Sequence, residues 1–375
     1  MKEQENAVTR DPFAEYRREA DPSKREKSYA WNTAIGLQKV DGLETSDYLI
    51  QTAVKNIEGE ITITEAQELI KTYYETDRKK NAEPRTEEAD IVSSRITAIL
   101  SEKGFTFSPA QYLSIHARLF DGIYRHAGTI RDYNISKKEW VLDGDTVTYG
   151  NSAELRATLD YDFAEERAFD YAGLPMDKVI SHLGRFISRL WQIHVFGEGN
   201  TRTTAVFFIK YLQFLGFDVT NDIFAENAWY FRNAMVRANY TNLKKGIHET
   251  TAYLELFLRN LLLGETHPLQ NRTMHVSGKL KPDFAPVKQD FEAPKQDFDR
   301  LTRAGISVRT SNNVLKLLKR FGFDAPFGRE DLINELGITK SPASEILNKL
   351  LSIGAVLPAP GSGRGKYLFD RAFFD

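Results

Sequence analysis

The sequence predicts a mainly α-helical protein of more than one domain, with a small share of β-structure. Three observations predict it. Val179 to Trp191 places apolar residues at the i, i+3, i+4, i+7 spacing of a half-buried helix. Thr203 to Phe214 is apolar almost all round, as in a helix at the centre of a core. Residues 305–375 set short helical stretches ahead of two short apolar runs, a second unit in its own right. At 375 residues the chain is also too long for one ordinary domain, so two or three are expected.

Residues 1–80 read as a helical N-terminal segment, where Thr45-Ser46-Asp47 and Thr62-Ile63-Thr64-Glu65 are helix-start signals. Residues 81–265 hold the main core. Within it, Trp140-Val141-Leu142-Asp143-Gly144-Asp145-Thr146-Val147-Thr148-Tyr149 alternates around an Asp-Gly dipeptide, which is a β-hairpin signal. Over 266–304 the apolar period fades. Pro268, Pro282, Pro286 and Pro294, with Lys-Gln-Asp-Phe repeated at 288–291 and 295–298, suggest an extended linker or arm. Residues 305–375 resemble a winged helix-turn-helix. Val314–Leu318 would be the first helix, Arg329–Leu336 the second, Gly337-Ile338-Thr339 the turn and Ser341–Leu351 the recognition helix. Val356-Leu357 and Tyr367–Phe369 would flank the wing.

Composition narrows the classes of function. The net charge of −2 excludes a globally basic nucleic-acid binder. The C-terminal unit carries 10 Lys+Arg against 7 Asp+Glu, and its recognition helix offers only Lys349, so DNA contact is weakly supported. Protein contact or homodimerisation suits it at least as well. Without cysteine there are neither disulfides nor thiolate metal sites. The start Met-Lys-Glu-Gln-Glu-Asn lacks a signal peptide's apolar run, and no stretch reaches membrane-helix length, so a cytoplasmic, membrane-free protein is expected. Among His116, His126, His182, His194, His248, His267 and His275 there is no His-Glu-x-x-His pair. Gly361–Tyr367 has the wrong glycine spacing for a P-loop, with Tyr where Ser or Thr must follow the Lys.

Between the two strongest helices lies His194-Val195-Phe196-Gly197-Glu198-Gly199-Asn200-Thr201-Arg202. The loop places Gly199 to Arg202 at the start of the second helix, where backbone amides lack internal partners and the macrodipole is positive. Phosphate oxygens complement such a site. Gly197 and Gly199 permit a tight turn, and Asn200 tolerates left-handed angles. Glu198 can hold magnesium, which usually binds through one or two carboxylates plus substrate phosphates. Arg202 can clamp a phosphate, His194 can accept a proton near neutral pH, and Phe196 anchors the loop.

Together these residues resemble the signature of the Fic (Fido) family, His-x-Phe-x-Asp/Glu-Gly-Asn-x-Arg, at every specified position. Upstream, Leu113–Phe120 and Tyr124–Arg131 resemble the family's helix leading into an Ala-Gly-x-x-Arg turn. The resemblance implies a Fic-type helical core with a β-hairpin flap. In that family the histidine deprotonates a Ser, Thr or Tyr hydroxyl of a target protein, which attacks the α-phosphate of ATP and retains AMP. His194 would be that base and Glu198 the magnesium ligand, with Phe196, Gly197, Gly199, Asn200, Thr201 and Arg202 as the nucleotide-binding set. Trp140, Val141, Leu142, Thr148 and Tyr149 would form the flap that docks the target, which could be the chain itself. Val195 replaces the usual Pro. Thr201 stands where AMP-transferring members have Gly and Doc-like phosphotransferases have Lys, and Ala205 stands where many have a second arginine. A Doc-like phosphotransferase and a weakly catalytic, nucleotide-sensing or DNA-bound regulator are the alternatives.

The N-terminal stretch Trp31–Leu43 resembles the inhibitory helix of Fic antitoxins, Ser/Thr-x-x-x-Glu-Gly/Asn. Leu37 and Asp41 fill the Ser/Thr and Glu positions and Gly42 follows, which makes Asp41 and Gly42 the inhibitory candidates. Because the usual arginine partner is Ala205, a weak restraint is expected. Glu58-Gly59, with Val54 at the Ser/Thr position, competes for the same role.

Overall fold

A computed structural model of the chain describes residues 21–76, 84–220, 222–277, 308–323, 325–336, 340–359 and 365–374, with Phe13, Tyr16, Leu301, Ala304 and Ile306 beside them. Helix α1 (Pro22–Gln38) starts where Asp21 accepts the Ser23 amide at 2.8 Å and Pro22 presets the first turn. It runs into a 3-10 turn at Lys39–Asp41, closed by Gly42. Ser46 caps α2 (Asp47–Glu58) by accepting the Leu49 amide at 3.1 Å. Thr62 and Glu65 cap α3 (Ile63–Thr76) reciprocally: the Glu65 amide donates to Thr62 Oγ1 at 3.2 Å and the Thr62 amide to Glu65 Oε2 at 2.7 Å. These helices close on Trp31, Leu49, Ala53, Ile57, Ile70 and Tyr74, and the Trp31 indole donates to Asn56 Oδ1 at 3.0 Å.

The chain continues through α4 (Pro84–Ser101), α5 (Pro109–Phe120), α6 (Leu155–Ala168), α7 (Met176–Ile193), α8 (Asn200–Phe214), α9 (Ile223–Ala238) and α10 (Ala252–Leu263). Every residue of α8 from Asn200 to Leu212 is buried, because α4, α5 and α7 pack around it. Helix α1 lies along α4 and crosses α9, which fixes the N-terminal segment on the core. No described helix is long and apolar enough to cross a membrane.

The 137–149 segment does not form the expected hairpin ladder. Asp143 and Gly144 do adopt left-handed φ of 59° and 84°, and the Asp145 amide donates to the Leu142 carbonyl at 3.2 Å, so the two-residue turn is present. Ahead of it, Trp140–Leu142 curls into a 3-10 turn. The cause is burial: Val141 and Leu142 are adjacent and both fully buried, which a strand with one exposed face forbids.

The chain divides into two compact units, Met1–Val287 and Lys288–Asp375. The second holds α11 (Val308–Phe321), α12 (Arg329–Leu336), α13 (Lys340–Ser352) and α14 (Arg371–Phe374). Its antiparallel sheet has β1 (Phe327–Gly328), β2 (Val356–Pro358) and β3 (Lys366–Phe369) in the order β1-β3-β2, with Leu357 opposite Leu368 and Phe327 opposite Tyr367. Val314, Leu317, Leu332, Leu350 and Phe369 form its core. Gly337, Ile338 and Thr339, read as the helix-turn-helix turn, lie outside the described residues, as do 278–300 of the arm.

Gly36 sets the crossing of α1 on α9: a Cβ there would fall 2.3 Å from the Ala225 carbonyl oxygen. Gly36→Ala should therefore destabilise the chain by about 1–3 kcal/mol through overpacking against backbone, although in an open helix the same change would stabilise by up to about 1 kcal/mol. Chemical denaturation measures the difference, and an unchanged or raised midpoint would contradict the close crossing.

Candidate active site

His194 ends α7 in the left-handed region, at φ 51° and ψ 55°. A side chain tolerates that backbone only when its surroundings hold it. Arg131 does so: Nε donates to the His194 carbonyl at 2.7 Å, Nη2 to the Gly150 carbonyl at 2.6 Å, and its own amide to the Val195 carbonyl at 2.9 Å. Nδ1 of His194 lies 3.2 Å from the Trp191 carbonyl, an oxygen that can only accept, so Nδ1 carries the proton and Nε2 keeps its lone pair. Burial, and then the positive charges of Lys137, Arg232 and Arg131, hold the imidazole well below its ordinary pKa despite the Trp191 hydrogen bond. His194 is thus held as a neutral ring with Nε2 as its unprotonated nitrogen.

Phe196, Gly197, Glu198, Gly199 and Asn200 form a loop fastened mainly from within. The Phe196 amide donates to Asn200 Oδ1 at 3.0 Å, and Asn200 Nδ2 returns a bond to the Phe196 carbonyl at 2.7 Å. Phe196 is fully buried and stacks on His116 at 3.7 Å. Nδ1 of His116 accepts the Gly128 amide at 2.8 Å, so Nε2 carries a hydrogen and donates to the Glu198 carbonyl at 3.0 Å. Gly199 has φ 72°, and a Cβ there would meet Phe120 at 2.4 Å, so only glycine fits. A Cβ at Gly197 would meet the Tyr133 hydroxyl at 2.5 Å. Phe196 and Asn200, placed in the nucleotide-binding set from the sequence, thus shape the loop with their side chains.

The first intrahelical bond of α8 runs from the Thr203 amide to the Gly199 carbonyl at 3.0 Å, so the amides of Asn200, Thr201 and Arg202 form the positive end of a buried helix. The Thr201 hydroxyl accepts the Trp191 indole N–H at 3.0 Å. Glu198 turns outward, its side chain 60% exposed, with Lys137 Nζ at 3.3 Å. Among the described residues no group of three or more His, Asp or Glu side chains stands ready as a metal cage. A single exposed carboxylate beside an anion-binding helix end fits magnesium that completes its shell with phosphate oxygens.

Arg202 is only 1% exposed. Nε pairs with Asp41 at 2.7 Å, Nη1 donates to Gln38 Oε1 at 2.9 Å, and Nη2 donates to Glu88 Oε1 at 2.6 Å and the Tyr124 hydroxyl at 3.1 Å. Its Cζ lies over the Phe120 ring, 4.8 Å from the ring centre. The absence of an arginine at 205 had suggested a weak restraint by Asp41; instead Asp41 reaches the signature arginine itself, while Ala205 is buried in the core. Gly42 closes the turn that presents Asp41, and Arg85 donates to the Asp41 carbonyl at 2.8 Å. The competing pair is elsewhere: Glu58 binds Lys24 at 2.6 Å and Gly59 ends α2.

The flap residues divide. Val141 and Leu142 are core, and the Val141 carbonyl accepts the Val276 amide at 3.0 Å, so these side chains are anchors where docking positions were expected. Trp140 is half-buried, with its ring 5.0 Å from that of His275, and Thr148 is exposed. Tyr149 lies 4.3 Å from the His194 ring and donates to Glu139 Oε1 at 2.9 Å. Glu139 is fully buried and paired with Arg232 at 2.7 Å. Sequence reasoning assigned no role to His116, Gln38, Glu88, Glu139 or Arg232.

Residues 106–212 match the model of the Fic/DOC family. Among solved structures, that of a Fic family protein from Desulfovibrio desulfuricans G20 is 12% identical over 92% of this chain and 87% of that one, with a TM-score of 0.43. No curated protein matches the chain.

Burial lowers the His116 pKa to about 4. Its folded-state value lies below the ordinary 6.5, so the unfolded chain binds the proton first and stability falls as pH drops from 6.5 towards 4. The loss should reach up to about 3 kcal/mol at that site. Denaturation midpoints measured across this range should fall more steeply for the native chain than for His116→Gln, and equal slopes would contradict the neutral, bridging histidine.

Proposed function

We propose that this chain, whose residues 106–212 match the Fic/DOC family model, is a protein adenylyltransferase that moves AMP from ATP to a Ser, Thr or Tyr hydroxyl of a target protein. The observation that carries the reading is the neutral His194, its Nε2 without a hydrogen-bond partner among the described residues, joined by the five residues 195–199 to the amide-rich start of α8. The target hydroxyl gives its proton to Nε2 as its oxygen bonds to the α-phosphorus. The bond from that phosphorus to the bridging oxygen breaks, and pyrophosphate leaves with the oxygen. The amides of Asn200, Thr201 and Arg202 are fixed before the reaction and face the developing charge. Magnesium held by Glu198 and the phosphates would neutralise charge on the leaving group.

Support for AMP transfer over Doc-like phosphoryl transfer comes from Thr201, which brings no cation to the cradle and binds Trp191 instead. Target docking falls to Trp140 and Thr148, the accessible flap positions. The nucleotide phosphates and Asp41 compete for Arg202, so the N-terminal segment restrains the enzyme until Asp41, Gln38 and Glu88 release the guanidinium. The C-terminal unit, helices with a three-stranded sheet, supports a winged-helix reading. Helix α13 offers little basic surface, which favours a protein partner or a second copy of the chain over DNA.

His194→Ala should lower protein labelling by about 10²- to 10⁴-fold, the usual effect of removing a general base, while leaving the fold intact. The assay supplies ATP labelled at the α- or the γ-phosphate. Label from the α position alone supports the proposal. Label from the γ position alone makes the chain a kinase, and no label from any nucleotide makes it a non-catalytic regulator.

A further inference from the structure

A cavity of about 780 Å³ lies away from His194, between α1, the end of α4 with the residues that follow it, and the C-terminal half of α8. That volume suits a small organic molecule. Its chemistry is mixed in a particular way. Lys210 lines it from α8 and is only 4% exposed, yet its ammonium donates to a carbonyl, that of Glu102. The Glu102 carboxylate itself is taken by both terminal nitrogens of Arg118. Burial lowers the pKa of Lys210, and the Glu102 charge opposes that shift without cancelling it. Lys27 lines the α1 wall and likewise donates to a carbonyl, that of Asn56, at 3.1 Å. The other carboxylate in the lining, Glu26, is exposed to solvent. Beside these cations Phe105 and Phe214 hold their ring centres 5.8 Å apart, and Phe214 is 60% exposed, unusual for so large an apolar side chain.

We propose that this cavity is a binding site for a small organic anion bearing an aromatic ring, with the anionic group at Lys210 and the ring against Phe105 and Phe214. Among the described residues no carboxylate forms an ion pair with this buried ammonium, and the Glu102 charge offsets its burial only in part, so an incoming anion would stabilise it; the half-buried Phe105 and exposed Phe214 offer a stacking surface. The two helices that wall the cavity are those that meet at Arg202. Helix α1 carries Lys27 near its start and Gln38 at its end, ahead of Asp41; α8 carries Arg202 at its start and Lys210 and Phe214 at its end. Filling the cavity changes how α1 sits on α8, so the ligand and the nucleotide alter each other's affinity reciprocally. That linkage rests on the proposed nucleotide site; the anion site does not.

The test uses the full chain and the fluorescent probe 8-anilinonaphthalene-1-sulfonate, an aromatic sulfonate. Lys210→Met, which keeps an unbranched chain one atom shorter and removes the charge, should weaken probe binding about tenfold, the scale of one charge-assisted contact. Phe214→Ser, an exposed position whose change leaves the core intact, should weaken it as well, so the result does not hang on the folding of the Lys210 variant. Probe affinity unchanged in Phe214→Ser and in a folded Lys210→Met would overturn the site. With the probe saturating, the affinity for magnesium-ATP should shift; an unshifted affinity in a chain that binds both ligands would overturn the linkage. A chain that binds the probe at Lys210 but no ATP would refute the proposed nucleotide site while leaving this one standing.

Discussion

A guanidinium buried to 1% exposure needs opposite charge and acceptors around it, and Arg202 draws them from three parts of the chain. Gln38 and Asp41 come from the end of α1 and the turn after it, Glu88 from α4, and Tyr124 from the stretch after α5. Removing any of these would leave part of a buried charge uncompensated, so the requirement of one side chain fixes where the N-terminal helices end and how they meet the core. Gly36 lets α1 come close enough to α9 to deliver them. Arg202 also lies in the first turn of α8, so on the proposed reading the contacts that satisfy its charge are the ones that cover the nucleotide site.

A second buried arginine does a related task on the other side of the loop. Arg232 pairs with Glu139, Glu139 accepts the Tyr149 hydroxyl, and the Tyr149 ring rests on His194. The pair anchors the flap segment, and burial first, with the nearby positive charges, keeps His194 neutral. Arg131 then sets the backbone angle that turns the imidazole out of the helix end. The backbone and charge environment of His194 therefore depend on Arg131 and Arg232.

The signature loop with its two helices, and the starts of α2 and α3, were legible because their information is local: the spacing of apolar residues and two glycines for the former, the caps at Ser46 and Thr62 for the latter, act within a few residues of themselves. The flap was half legible. Asp143-Gly144 encodes a left-handed turn wherever it occurs, but whether its flanks pair as strands depends on what buries Val141 and Leu142, and that is tertiary. The partner of Asp41 could not be read at all, since a sequence position says nothing about which arginine a side chain will meet. His116 was hidden for a different reason. Its partners are the backbone groups of Gly128 and Glu198, and backbone groups leave no residue-type signal. Arg131 belonged to a resembling motif, yet its role of gripping four carbonyl oxygens appears only once α7 has ended beside it.

If the Arg202 cluster is what holds the nucleotide site shut, loosening one partner should be felt as tighter nucleotide binding, and only while the arginine is present. Calorimetric titration of magnesium-ATP into the full chain, into Asp41→Asn, into Arg202→Ala and into the double variant forms the relevant cycle. Because Asp41 is 39% exposed, its pair is worth roughly 1 kcal/mol, and Asp41→Asn should bind ATP about three- to tenfold more tightly. That gain should vanish in the Arg202→Ala background. Asp41→Asn binding ATP no better than the native chain, or gaining equally without Arg202, would contradict the account.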